Sequence, residues 1–343
     1  MSARRPQEPS PPFPYHSEEV TFESRKEGAR ISGTLSIPGE GGPFGVAFLL
    51  SGSGQHDRDE SIAGHRPFLV WADRLVRRGT MVLRVDDRGI GGSTGDPSRA
   101  TTADFADDVM AGVAYLRSRG DVDPSQIGLI GHSEGAVIAQ IVAARDPAIR
   151  FVVMLAGVGV DGETLLLEQK RLIEASEGIP PEITKTSCER TKALFDAVKG
   201  ACDQESAEAA LNATWKRVAS QDGAAAEEMP PAVAAMASPW MRWFLRHEPR
   251  ANLQQIRCPV LAVTGARDLQ TPVEPNLAAL AEGLRANDDA TFVALPDLNH
   301  LLQTAPTGRV SEYAKIEETV SPAALDLVGG WISERLHLKS RQD

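Results

Sequence analysis

The sequence predicts an α/β protein with a mostly parallel central sheet, helices on both faces, and a helical insertion that interrupts the alternation. Three observations predict it. Six short runs are too apolar to have a wet face, at residues 46–50, 81–85, 127–130, 151–155, 260–263 and 291–295, which is the pattern of strands buried on both sides in a parallel sheet. Amphipathic stretches of helical period separate several of these runs. Between residues 161 and 255 the alternation stops, and about 95 residues pass without a strand-like run.

Taken in order, residues 1–16 are proline-rich and read as a flexible tail. Residues 18–38 alternate apolar and polar positions (Val20, Phe22; Ile31, Leu35, Ile37) around Gly28, an antiparallel hairpin. A helix over 68–78 places Leu69, Ala72, Leu75 and Val76 on one stripe and ends at Gly79, a C-terminal cap. Residues 104–119 repeat the pattern and close at Gly120, and 134–145 form a third helix stopped by Asp146-Pro147. Strand, helix, strand in this order implies right-handed crossovers and a doubly wound sheet. Within the insertion, 165–167, 193–198, 207–211 and 224–228 are helix-forming, with breaks at Pro180-Pro181 and Pro230-Pro231. An amphipathic helix over 323–338 ends the pattern. The expected organisation is one body, residues 17–160 and 256–343, interrupted by a helical cap at 161–255.

Composition narrows the partners. The 343 residues hold 36 basic and 47 acidic side chains, a net charge of −11, without a basic tract suited to phosphates or an anionic bilayer. Nucleic acid is not an expected partner. The longest apolar stretch, 151–160, is half the ~20 residues of a membrane helix, so no membrane association is expected. Arg4 and Arg5 are followed by polar and proline residues rather than an apolar segment, so no signal peptide is expected and the location read is cytoplasmic. Cys188, Cys202 and Cys258 have neither metal nor disulfide spacing. Oligomeric state is not legible.

The chemistry centres on Gly131-His132-Ser133-Glu134-Gly135, a G-x-S-x-G between the run 127–130 and the third helix. A serine on so sharp a strand-to-helix turn lifts Oγ above the sheet edge, and the crowding demands small residues two positions either side. The helix brings free N–H groups and the positive end of its dipole to where an oxyanion forms. Serine needs a base and an orienting carboxylate, which in this arrangement follow it in the chain. Of seven histidines, only His247, His300 and His337 follow. His247 falls in the insertion and His337 in the C-terminal helix, whereas His300 sits in the loop after 291–295 and is the expected base. Asp268, in the loop after 260–263, is the expected orienting acid; Asp297 competes but reads as a loop cap. The loop Ser51-Gly52-Ser53-Gly54-Gln55 supplies a second oxyanion donor, the Ser53 N–H, beside that of Glu134. Ser53 as nucleophile is disfavoured because no helix follows it. Residues 56–60 with His65 and Arg66 read as a solvated loop, with His56 at the pocket mouth. The run 86–93 lacks a Gly-Lys-Ser/Thr ending and is read as structural, with Asp86 paired to Arg88. No HExxH or CxxC pattern implies a metal.

Together these residues resemble the α/β-hydrolase superfamily, with Ser133, Asp268 and His300 in its order and Asp86-x-Arg88-Gly89-x-Gly91-x-Ser93 matching a loop its members often carry. The likeness covers about 18–160 and 256–340. More narrowly, 51–60, 64–68, 101–105 and 238–240 are similar to a bacterial EstD-like carboxylesterase group, although Gln55-His56 stands where that group has Pro-Gln. The resemblance implies an α/β-hydrolase fold and hydrolysis of carboxylic esters, small-molecule substrates, without a cofactor. Trp240, Trp243 and Phe244 fall at i, i+3, i+4 and either glue cap to body or line an acyl pocket. Three functions follow: a carboxylesterase for short to medium acyl esters; a peptidase or amidase on the same triad, with Glu134 or an acidic residue of the cap as an anchor for a charged terminus; and a non-catalytic binding protein on this scaffold.

Overall fold

The computed structural model describes residues 4–24, 28–219 and 228–336. The sheet comprises β1 (Tyr15–Glu23), β2 (Arg30–Pro38), β3 (Phe44–Leu50), β4 (Met81–Val85), β5 (Val122–His132), β6 (Val152–Leu155), β7 (Val260–Gly265) and β8 (Ala290–Leu295). Their spatial order is β1-β2-β4-β3-β5-β6-β7-β8. The β1–β2 hairpin joins β4 antiparallel, and every pairing from β4 through β8 is parallel.

Between the strands lie α1 (Pro67–Arg77), α2 (Thr102–Arg117) and α3 (Glu134–Arg145). After β6 come α4 (Gly162–Ser176), α5 (Pro181–Lys199), α6 (Gln204–Ala219), α7 (Pro231–Ala234), α8 (Pro239–Arg246) and α9 (Pro249–Leu253), all before the chain re-enters the sheet at β7. Finally α10 (Val273–Gly283) and α11 (Pro322–Arg335) flank β8. The prolines at 180–181 and 230–231 break the preceding segment and begin the next: Pro181 and Pro231 sit at the first helical position, where a missing N–H costs nothing.

The two-residue period of the strands sorts side chains into two cores. Val46, Phe48 and Leu50 face one core with α2, α3 and α10, while Ala47 and Leu49 face the other with α1 and α11. Continuous apolar runs are thus the expected signature of strands with helices on both faces. The insertion has its own core, built on Leu194, Phe195, Val198, Ala207, Leu211 and Leu245. Among the described residues no helix is long and apolar enough to cross a membrane.

Several expectations are corrected. The segment before β1 is not a loose tail where described. Arg5 donates to the carbonyls of Gly64 and Ile316, Gln7 bonds the main chain at Thr319 and Val320, and Glu8 pairs with Arg66. The β8 run is half exposed, because as the edge strand it is covered only in part. Strand β5 begins earlier than its apolar run, at Val122, which pairs with Phe44 across a register shift. The helix expected at 224–228 falls mostly outside the described residues, as does His337.

Candidate functional site

Strand β5 ends at His132 and α3 begins at Glu134, leaving Ser133 alone to make the turn, at φ 53° and ψ −116°. For a residue with a Cβ this is a strained backbone, held by the surrounding structure. Its N–H donates to the Leu155 carbonyl of β6 at 2.9 Å. The flanking glycines are demanded by space: a Cβ on Gly131 would stand 2.1 Å from the Gly135 carbonyl oxygen, and one on Gly135 the same distance from that of Leu50.

The loop after β3 crosses beside this turn and is tied down at three points. Ser51 Oγ donates to Asp87 Oδ1 at 2.6 Å, the His56 N–H donates to Asp87 Oδ2 at 2.8 Å, and the Gly52 N–H donates to Glu60 Oε1 at 2.7 Å. Burial pushes the Asp87 carboxyl up to about 7, against the opposing hydrogen bond from Ser51. The His56 ring reaches back to the Ser53 carbonyl at 3.1 Å.

The loops after β7 and β8 bring Asp268 and His300 together. Gly265 closes β7 against the Leu298 carbonyl so tightly that a Cβ there would lie 2.2 Å away, and Arg267 N–H donates to the same oxygen. Asp268 Oδ2 then lies 2.9 Å from His300 Nδ1 and accepts Thr271 Oγ at 2.6 Å, while Oδ1 accepts the N–H groups of Gln270 and Thr271. Burial alone would raise the Asp268 pKa, but the His300 ring and the Thr271 bonds outweigh it and hold the carboxyl below its ordinary value. Asp297 is elsewhere: at φ 61° it turns the loop and pairs with Arg267.

Ser133, His300, Ser53 and Glu134 line one cavity of about 160 Å³, whose apolar wall is Val158, Leu165, Leu166, Trp240 and Phe244 and whose polar edge includes His56, Gln169 and Gln270. Neither the Ser53 nor the Glu134 backbone N–H has an acceptor among the described residues. The Glu134 side chain is buried away from solvent, where Oε1 accepts Thr102 Oγ at 2.6 Å and Trp240 Nε1 at 2.7 Å. Burial raises its pKa, and these donors offset only part of that. One carboxylate thus links the elbow, α2 and the cap.

Three expectations fail here. Trp243 does not line this cavity; of its two expected roles only packing against the core of the body is seen. The Trp240 and Phe244 rings stack at 5.1 Å in the cavity wall, whereas Trp243 stacks on His247 at 4.4 Å and lines a different cleft. Asp86 does not pair with Arg88: it holds Arg58 at 2.8 Å, and Arg88 reaches Asp108 of α2 at 2.6 Å. The stretch 56–60 with His65 is not a solvated loop throughout, since Glu60 and His65 are buried, and Glu60 Oε1 meets His132 Nδ1 at 2.8 Å. Glu60, Asp87, Thr102 and Thr271 are site residues that the sequence reading missed. Their partners are brought close by folding, except Thr271, which lies only three residues after Asp268, within reach of local side-chain bonds.

The alpha/beta hydrolase family model matches residues 47–313. Esterase EstD of Thermotoga maritima is 25% identical over 274 residues, covering 79% of this chain and 58% of that protein. The uncharacterized protein YfhR of Escherichia coli K12 is 32% identical over 147 residues, 42% of this chain and 48% of that one. The chain therefore spans about half the length of these curated relatives. Among solved structures, the Pyrococcus furiosus esterase PF2001 superposes with a TM-score of 0.58 at 16% identity, covering 98% of each chain. Est1E of Butyrivibrio proteoclasticus, solved with ferulic acid, gives 0.52 at 14% identity over 92% of this chain and 96% of that one. With an eight-stranded sheet, a serine elbow after β5 and a family match across most of its length, this chain belongs to the alpha/beta hydrolase family.

Proposed function

We propose that the protein is a serine carboxylesterase acting on short to medium acyl esters. The observation that carries this reading is the hydrogen-bonded Asp268–His300 pair opening into the same cavity as Ser133, itself held on a strained elbow. Ser133 Oγ attacks the ester carbonyl carbon while His300 Nε2 takes its proton; Asp268 keeps the other ring proton on Nδ1 and stabilises the imidazolium. The tetrahedral oxyanion is met by the Ser53 and Glu134 N–H groups. Collapse expels the alkoxide, which leaves with the proton from His300. The same ring then deprotonates a water that attacks the acyl carbon, and as the bond to Ser133 Oγ breaks the imidazolium returns that proton to Oγ.

The cavity supports the substrate class. About 160 Å³ is below the ~300–1,000 Å³ of sites for drug-sized ligands, which favours short acyl chains. Among the described residues its lining includes no lysine or arginine, which suits a neutral ester better than a carboxylate-bearing one. The peptidase reading wanted Glu134 or an acidic residue of the cap as an anchor for a charged terminus; the first is already taken by Thr102 and Trp240, and turnover of aminoacyl anilides tests the second.

Ser133→Ala should abolish turnover of p-nitrophenyl acetate while the circular dichroism stays that of the wild type. A panel of p-nitrophenyl esters of increasing chain length, run beside aminoacyl anilides, tests the substrate. Preference for anilides, or retained activity in Ser133→Ala, would refute the proposal.

A further inference from the structure

The reaction as written uses neither Glu60 nor His132, although both are buried at its edge. The His132 ring is flanked by two acceptors: Glu60 Oε1 lies 2.8 Å from Nδ1, and the His300 main-chain oxygen lies 3.0 Å from Nε2. A carbonyl oxygen only accepts, so Nε2 carries a proton; a neutral imidazole then has none left for Nδ1. The contact at Nδ1 therefore needs an additional proton, on the ring or on Glu60. The same Oε1 also accepts the Gly52 N–H, an arrangement suited to a carboxylate oxygen with two donors. Burial opposes charge on both groups, but each is held charged by the other: the ring above its ordinary pKa, the carboxyl below.

We propose that Glu60 and His132 form a carboxylate–imidazolium pair that positions the site, joining the loop after β3 at Gly52 to the main chain of His300. The assignment of what is positioned rests on the esterase reading; the pair itself does not. His132 occupies the second position of the Gly131-to-Gly135 turn, directly before Ser133, so the connection runs through the elbow. Its ring lies 4.8 Å from that of His300, tilted by 47°. During turnover His300 becomes a cation, and the Glu60 charge keeps its neighbour electrically balanced at that moment. The other ionisable groups around the pair are His56, after β3, Asp87, after β4, and Asp268 and His300, after β7 and β8.

Glu60→Gln keeps the side-chain shape and a carbonyl for Gly52 while removing the charge. In nitrogen-15 NMR of the full chain, wild-type His132 should keep both ring nitrogens protonated through pH 8. In Glu60→Gln the ring should become a single-proton neutral imidazole at that pH. The variant's kcat on p-nitrophenyl acetate should fall about 10- to 100-fold, the scale of a small misplacement of reacting groups, with KM nearly unchanged. A wild-type ring already neutral at pH 7, or a Glu60→Gln enzyme with wild-type kcat, overturns the proposal. If the variant does not fold, the wild-type spectrum decides. Full activity in Ser133→Ala would refute the esterase reading without touching the NMR result, so the two failures are distinguishable.

Discussion

Gly135→Ala offers a direct test of how the elbow and the loop after β3 are packed. The added methyl would stand 2.1 Å from the Leu50 carbonyl oxygen and 2.7 Å from that of Ser51, both main-chain atoms that cannot rotate away. Contacts below 3.0 Å are essentially never made by a real Cβ, so α3 and the end of β3 must part by about 1 Å, the difference between 2.1 Å and a tolerable separation. Those two segments carry Ser133 and Ser53, the proposed nucleophile and one of its oxyanion donors. A misplacement of that size can cost about 100-fold in rate, and overpacking of this kind typically costs about 1–3 kcal/mol in stability. Steady-state kinetics on p-nitrophenyl acetate and a thermal melt by circular dichroism read both effects. Gly120→Ala is the control, since nothing lies within 4 Å of a Cβ there. If Gly135→Ala melts with the wild type and keeps its kcat within about threefold, the reasoning from crowding to catalysis is wrong.

Two further perturbations follow from buried carboxylates. Trp240→Phe removes the indole N–H that Glu134 accepts at 2.7 Å; leaving that carboxylate short of a donor should lower stability by about 1–3 kcal/mol and raise KM for esters, measured by urea titration and initial rates. No change in either would mean that this bond does not hold the cap. For Asp87, burial puts the native pKa at about 7 against 3.8 for the free group, so the native state favours the protonated form. Its contribution is complete below pH 3.8 and is lost as pH rises through 7. Asp87→Asn can still accept the His56 N–H and donate to Ser51, and should be nearly neutral at pH 4 and more stable than wild type at pH 8, by roughly a few kcal/mol. Melts at the two pH values with equal differences would count against a perturbed Asp87.

What the sequence revealed depended on the range of the forces involved. The strands β3 to β7 were legible because helices cover both faces, so burial is written into consecutive residues. The elbow was legible because its constraints are local: a serine, two glycines and the helix that follows. Asp268 and His300 could be placed by chain order and by the strands they follow. Glu60 could not, since it reads as one more charge in a polar run and its partner His132 is 72 residues away. Trp243 misled because i+3 and i+4 lie on opposite flanks of a helix turning about 100° per residue; Trp240 and Phe244 share one flank, and Trp243 turns toward His247. Arg88 misled in the opposite sense, since proximity in sequence suggested Asp86 while the fold offered Asp108 from α2.

The insertion leaves the sheet after β6 and returns at β7, and these strands are hydrogen-bonded neighbours from Val152↔Val260 to Leu155↔Val263. The two ends of α4–α9 are therefore fixed at opposite ends of one parallel strand pair, about 11 Å apart from the strand rise and spacing, whatever happens between them. Lengthening a connection whose ends are already fixed costs only logarithmically in chain entropy, and these helices have a core of their own. The junction is in effect a socket. A lid of another length or shape could be grafted there and leave the sheet register intact, so the lineage could trade one substrate for another without rebuilding the scaffold beneath.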